Sequence, residues 1–139
     1  MSNSTTLPLS AEDEAAVRDV PQRIIAAWAA HDADAFAATF TEDGSMILPG
    51  VFHLGRDEIR GFMTQAFAGP YRGTRVTGSP TAVKVLAEDT VLVLTEGGVL
   101  APNETEPAAE RAVRASWLLV RRDGRWLLTA YQNSPANRA

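Results

Sequence analysis

Residues 28–44, WAAHDADAFAATFTEDG, read together with residues 117–134, WLLVRRDGRWLLTAYQNS, decide the architecture of this chain. The first stretch is a helix end, a short amphipathic helix, and an Asp-Gly turn into a strand. The second is a strand, an Arg-Asp-Gly-Arg turn and a second strand. Between them they outline a small sheet capped by helices around one pocket. The pattern is specific for architecture and poor for chemistry, because pockets of this kind host many reactions and some host none.

Working outward, Ser10 caps a helix whose Glu12, Asp13 and Glu14 set negative charge against its positive N-terminal dipole. Val17, Val20, Ile24, Ala27 and Trp28 follow helical spacing, and Pro21 inside the pattern predicts a kink or a split. Asp32 caps a second helix with Phe36, Ala37 and Phe40 on one face, ended by Asp43-Gly44. Ser45 to Leu48 reads as a strand stopped by Pro49-Gly50, followed by a short extended piece, Val51 to Leu54. Gly55 to Gly69 is a third helix with Ile59, Phe62, Met63, Ala66 and Phe67 on one stripe. From Thr74 the period becomes two. Arg75 to Thr77 and Thr81 to Ala87 read as two strands, or as one interrupted at Gly78-Ser79-Pro80. Val91 to Gly98, Arg111 to Arg121 and Arg125 to Asn133 follow. Residues 101–110 form an acidic, proline-bearing loop. Helices first and hairpins after give an α+β class: a cone-shaped fold in which a curved antiparallel sheet packs on three N-terminal helices around one hydrophobic pocket. The expected organisation is a disordered tail over 1–9, one domain over 10–135, and a C-terminal tail over 136–139.

The chain has 139 residues, 45% hydrophobic and 22% charged, enough to bury a core without staples. It has no cysteine, which excludes disulfides and thiol chemistry. A net charge of −4 argues against nucleic acid and anionic membrane partners. The first ten residues carry no charged leader or apolar run, and no segment approaches the ~20 apolar residues of a membrane span. A cytoplasmic protein is expected, so the sequon Asn103-Glu104-Thr105 is discounted. Two histidines and scattered acids lack ligand spacing, so neither metal nor cofactor is expected.

The run Trp28…Asp32…Phe36…Phe40…Asp43-Gly44, the helix start Gly55-Arg56-Asp57-Glu58-Ile59 and the hairpin Asp123-Gly124-Arg125-Trp126 carry a resemblance. Over residues 11–134 the chain resembles the nuclear transport factor 2-like superfamily, which includes the SnoaL-like and ketosteroid isomerase-like proteins. Within it the chain looks most like the SgcJ/EcaC-type branch, associated with enediyne antibiotic biosynthesis. The isomerases of this superfamily work with a proton-moving carboxylate, a tyrosine and a protonated acid. Their pattern laid on this chain puts the tyrosine at Ile24, the carboxylate at Leu48 and the acid at Ser116. All three functions are lost, so the resemblance implies no isomerase mechanism. It does imply which side chains face the cavity: Ile24, Trp28, Leu48, Met63, Arg114, Ser116, Thr129, Tyr131 and Asn133. Alternation independently sets Thr129, Tyr131 and Asn133 on one face, and Arg114 with Ser116 on another. The large aromatics Phe52 and Phe67 complete the ligand-binding set.

Three side chains are catalytic candidates. His53, between the first strand and the third helix, carries an imidazole, the side chain most often used for acid–base work; the plain alternative is a solvated loop histidine. Glu96 in an apolar strand handles protons if it faces the cavity and is a surface or interface charge if it faces outward. Arg114 either binds an anionic group or pairs with Glu96 across neighbouring strands. His31 reads as a cap at a helix C-terminus. Arg121, Arg122 and Arg125 read as a solvated turn. The resemblance then implies a binder of a hydrophobic polyketide or polyene intermediate, acting as an accessory cyclase, isomerase or cofactor-free oxygenase. The alternatives are a non-catalytic or self-resistance binder and a homodimeric interaction module.

Overall fold

Ser10 opens the first helix, α1 (Ala11–Ala29), by accepting the Asp13 N–H on its hydroxyl at 3.0 Å. The computed structural model describes residues 9–136, so the expected tails fall outside it except for Leu9 and Ala136. Leu9 packs against the core. Pro21 does not split α1. Its missing N–H frees only the Val17 carbonyl, and its buried ring sits on the inner wall of the fold.

The second helix, α2 (Ala33–Ala38), is capped by the Asp32 carboxylate and is shorter than expected. Phe40 belongs to the first strand, β1 (Phe40–Leu48), and Asp43-Gly44 lies inside that strand instead of ending the helix. The register shifts between Phe40 and Ser45, a bulge at which Gly44 lies against the Phe40 ring. The bulge frees the Phe40 carbonyl, which accepts from Arg56 Nε at 3.1 Å and Nη2 at 2.6 Å. The hairpin partner β2 (Val51–Leu54) leads to Gly55, whose φ of 100° suits glycine, and then into α3 (Arg56–Ala68). The Gly-Arg start of α3 thus ties this helix to the bulge.

Four longer strands follow: β3 (Arg75–Ala87), β4 (Thr90–Leu100), β5 (Ala112–Arg122) and β6 (Arg125–Pro135). β3 is one strand with register shifts near Pro80 and Ala87. The sheet order is β2-β1-β6-β5-β4-β3, antiparallel throughout except for the parallel pair β1·β6. The β5–β6 turn has φ 54° at Asp123 and 77° at Gly124, the paired positive values of a tight hairpin.

Two glycines set the bend. Gly78 faces Gly97 across β3·β4, and a Cβ on Gly97 would lie 2.0 Å from the Thr77 carbonyl oxygen. The strands therefore approach more closely here than any side chain permits. The concave face rests on α1 and α3 through Val20, Ile24, Trp28, Ile59, Met63, Leu119 and Leu128. Each fully buried aliphatic contributes roughly 1.5–3 kcal/mol. An exposed pair such as Arg18–Glu14 contributes under about 1 kcal/mol. Packing holds the fold.

Polar staples fix the seams. Asp13 accepts Trp126 Nε1 at 2.9 Å and Arg121 Nη1 at 2.7 Å, joining the start of α1 to the β5–β6 hairpin. Arg122 pairs with Asp43 at 3.4 Å, so two of the three hairpin arginines serve structure. No helix among the described residues is long and apolar enough to cross a membrane.

Candidate functional site

Val17, Ile24 and Trp28 recur on one face of α1, and the bent sheet stands off from that face because three helices cannot fill its hollow. The space left is a cavity of about 800 Å³, within the range of small-molecule sites. Its walls are aliphatic and aromatic: Leu48 from β1, Val83 from β3, Val93 from β4, Trp117 from β5, and Leu128 and Tyr131 from β6. Arg18 and Gln22 of α1 stand at the exposed rim with Glu110 and Arg111. The segment before β5 folds back on this rim. Arg111 Nη2 donates to both oxygens of Glu104, each at 2.6 Å, and this holds the Glu104 carboxyl below its ordinary range.

Most polar side chains on the inner wall are engaged with one another. Trp28 Nε1 donates to Thr74 Oγ1 at 2.9 Å, and Thr74 Oγ1 donates to the Tyr71 carbonyl at 2.6 Å. The Tyr71 ring lies on Trp28 with centroids 4.7 Å apart. Trp117 Nε1 donates to Thr95 Oγ1 at 2.9 Å, and Tyr131 meets the Trp117 ring edge-on at 4.8 Å. Asn133 Nδ2 donates to the Tyr131 hydroxyl at 3.0 Å, while Asn133 Oδ1 is buried with no partner among the described residues. Burial pushes both phenols up, Tyr131 despite the opposing Asn133 hydrogen bond. Both therefore stay protonated at neutral pH. Among the described residues, no carboxylate or imidazole lines the interior, since Glu110 lies exposed at the rim. None forms a group of three or more acids and histidines that would hold a metal ion.

Of the expected ligand-binding residues, Ile24, Trp28, Leu48, Tyr131 and Asn133 line the cavity. The others stand elsewhere. Met63 and Phe67 are buried in the helical layer, Phe67 beneath Trp28 at 5.6 Å. Phe52 lies opposite Ile47 on the convex face and is 63% exposed. Thr129 hydrogen-bonds Thr41 at 3.1 Å because β6 bulges there: Leu118 faces Ala130 while Leu119 faces Leu128. The bulge reverses the alternation, so Leu128 points inward before it and Tyr131 and Asn133 after it. Ser116 and Arg114 point outward. The inward row on β5 is Val113, Ala115 and Trp117, one residue out of step with the aligned register.

None of the three catalytic candidates reaches the cavity. Glu96 and Arg114 are direct cross-strand partners on the convex face, 3.3 Å apart with side chains 56% and 64% exposed, which is the pairing alternative. His53 stacks on Phe62 at 4.7 Å, with Nδ1 3.7 Å from Glu58 Oε1, and does not line the wall. His31, at φ 52°, donates from Nε2 to the Thr74 carbonyl at 2.9 Å and closes the end of α1. Sequence reasoning missed Tyr71, Thr95 and Trp117 as wall residues. Thr95 alternates with Val91 and Val93, but Leu92 and Leu94 make both faces of β4 apolar, so alternation does not single it out; Tyr71 sits in a turn with no periodicity to reveal it.

A domain of unknown function with a cystatin-like fold from Nostoc punctiforme is similar at 29% identity, covering 93% of this chain and 80% of its own, with a TM-score of 0.85. An NTF2-like protein with a cystatin-like fold from Novosphingobium aromaticivorans is 21% identical over 92% of this chain and 84% of its own, at TM-score 0.78. An NTF2-like protein of unknown function from Shewanella oneidensis is 19% identical over 88% and 98%, at TM-score 0.71. The last two likenesses carry the fold alone. No curated protein matches the chain. The model of the SnoaL-like domain matches residues 17–138, nearly the length of the chain, and the protein belongs to the SnoaL-like domain family.

Proposed function

We propose that this single domain, residues 10–135, binds a hydrophobic, conjugated small molecule of the polyketide class and steers its cyclisation or isomerisation by shape and desolvation. The observation that carries the reading is the cavity itself, about 800 Å³ with aromatic faces from Trp28, Tyr71, Trp117 and Tyr131. Folding a flexible chain into a reactive conformer needs a shaped, dry enclosure more than strong acids. The sequence resemblance to SgcJ/EcaC-type proteins supports an enediyne-type polyene of secondary metabolism as the ligand. A second reading, a binder that sequesters its ligand unchanged, is favoured by the lack of any proton-accepting carboxylate or imidazole on the inner wall among the described residues.

Thermal-shift titration against linear polyenes and aromatic polyketides tests both readings, with the ligand recovered and analysed by chromatography and mass spectrometry. A shift with an altered ligand supports steering, and a shift with the ligand intact supports sequestration. No shift with either class contradicts the proposal. The convex face exposes Ile47, Phe52, Leu54 and Leu86, which supports a homodimer through the sheet. Sedimentation of a single species at monomer mass across micromolar concentrations would contradict that part.

A further inference from the structure

The polar groups of the cavity gather in one place. Thr95, Ala115 and Asn133 lie side by side across β4, β5 and β6, all on the concave face, with Tyr131 two residues from Asn133. Neighbouring strands are spaced ~4.8 Å apart, so Thr95 and Asn133 stand roughly 10 Å from each other with only the Ala115 methyl between them. The result is a notch flanked by polar side chains and otherwise walled by hydrocarbon.

The hydrogen-bond inventory of the notch is incomplete. Asn133 Oδ1 is buried and unpartnered. The Tyr131 hydroxyl accepts from Asn133, and its own proton has no acceptor among the described residues. Thr95 Oγ1 accepts from Trp117 and likewise keeps its proton. With the Asn133 amide turned over, the phenol donates to Oδ1, and the free groups become an N–H and a phenol lone pair. Either way Tyr131 and Asn133 together offer one donor and one acceptor. A buried polar atom with no partner is unfavourable, so this arrangement is complete only with an occupant. Among the described residues, the charged side chains that line the cavity are Arg18, Glu110 and Arg111. Arg18 and Glu110 are exposed at the rim and Arg111 is held by Glu104, while both phenols stay neutral because burial disfavours their ionised forms.

Resting on the binding reading above, we propose that Tyr131, Asn133 and Thr95 form a neutral recognition shelf that selects hydrophobic ligands bearing an uncharged hydroxyl or carbonyl group. The shelf rejects a carboxylate on the same skeleton, because a buried anion would find no counter-charge there. A hydroxyl fits over Ala115, donating to Asn133 Oδ1 and accepting from Tyr131 or Thr95. A ketone uses the donors alone.

The test is a matched tricyclic series, anthracene, 2-hydroxyanthracene and anthracene-2-carboxylate, titrated by tryptophan quenching and checked by calorimetry. The wild type should bind 2-hydroxyanthracene about fivefold more tightly than anthracene and about tenfold more tightly than the carboxylate. Asn133→Leu, close in volume, should bring the hydroxyl preference, read as the ratio of the two affinities within the variant, to within about twofold. Thr95→Val should weaken the preference in the same direction and serves if Asn133→Leu fails to fold. Equal affinity of the wild type for all three compounds, tighter binding of the carboxylate, or a preference that survives both substitutions overturns the shelf and leaves cavity binding standing. Failure of anthracene and 2-hydroxyanthracene alike to bind would overturn the binding reading and the shelf with it.

Discussion

Adding one methyl group at Gly97 should damage both the stability of the protein and its cavity. A Cβ there would lie 2.0 Å from the Thr77 carbonyl oxygen and 2.7 Å from Gly78 Cα, and both obstacles are backbone. An ordinary carbon–oxygen approach is roughly 3.3 Å, so β3 and β4 must part by about 1 Å at this point. Overpacking costs about 1–3 kcal/mol, and each ladder hydrogen bond lost alongside it costs about 1 kcal/mol more. Gly97→Ala should therefore cost about 3 kcal/mol, which lowers Tm by roughly 12 °C in a chain of this length. Gly61→Ala in α3 is the control, because nothing lies within 4 Å of its Cβ and its φ is not positive. That change should stabilise by about 0.5–1 kcal/mol. Urea unfolding followed by tryptophan fluorescence measures both variants. Gly97 also lines the cavity, so the damaged bend should weaken uptake of a hydrophobic dye. A Gly97→Ala protein within about 0.5 kcal/mol of wild type would refute the claim that close strand approach builds the concave wall.

Three further outcomes are expected. Thr74→Val removes the acceptor of Trp28 Nε1 and leaves a buried N–H unpaired, so chemical denaturation should show a loss of about 1–3 kcal/mol; a loss under ~0.3 kcal/mol would contradict that hydrogen bond. Glu96→Gln and Arg114→Met break an exposed pair on the convex face and should change stability by less than about 1 kcal/mol, with dye affinity unaltered; lost affinity would return these residues to the site. Asp13 is held below its ordinary carboxyl range, first by the Trp126 indole and then by the Arg121 charge. A depressed folded value contributes stability above the unfolded value of 3.8 and loses it as pH falls toward the folded value. The Tm advantage of wild type over Asp13→Asn should thus be full near pH 6 and shrink as the pH falls below 3.8. A difference independent of pH would disprove the linkage.

The features legible in the sequence are those written in local chemistry. Asp123-Gly124 encodes the hairpin because both positions need positive φ, and Ser10 and Asp32 mark helix starts because their side chains accept freed N–H groups. Alternation failed where a strand gains a residue. The bulge in β6 turns Thr129 away from the cavity, and the bulge in β1 absorbs Asp43-Gly44, which read as a helix stop. The β6 bulge has no sequence signature, since it is set by the register of the neighbouring strand, and Gly44, which marks the β1 bulge, reads equally as a helix stop. Pro21 read as a break because its cost to the helix is local, whereas its compensation, burial on the cavity wall, is tertiary. Arg114 and Ser116 were misplaced by one residue even though Trp117 and Leu119 mark the apolar parity of β5. Glu96 was undecidable from its own strand and became readable once Thr95 was found facing Trp117.

On the proposed reading, a hydrophobic small molecule enters the space beneath the sheet. A titration with diphenylhexatriene, a linear polyene dark in water and fluorescent in an apolar enclosure, tests it most directly, with two variants alongside. Tyr131→Trp enlarges a side chain on the cavity wall, and Leu94→Arg alters the convex face. Saturable emission at one molecule per chain is expected, with roughly fivefold weaker binding in Tyr131→Trp and no change in Leu94→Arg. Emission that never saturates, or that falls with Leu94→Arg and survives Tyr131→Trp, would contradict it.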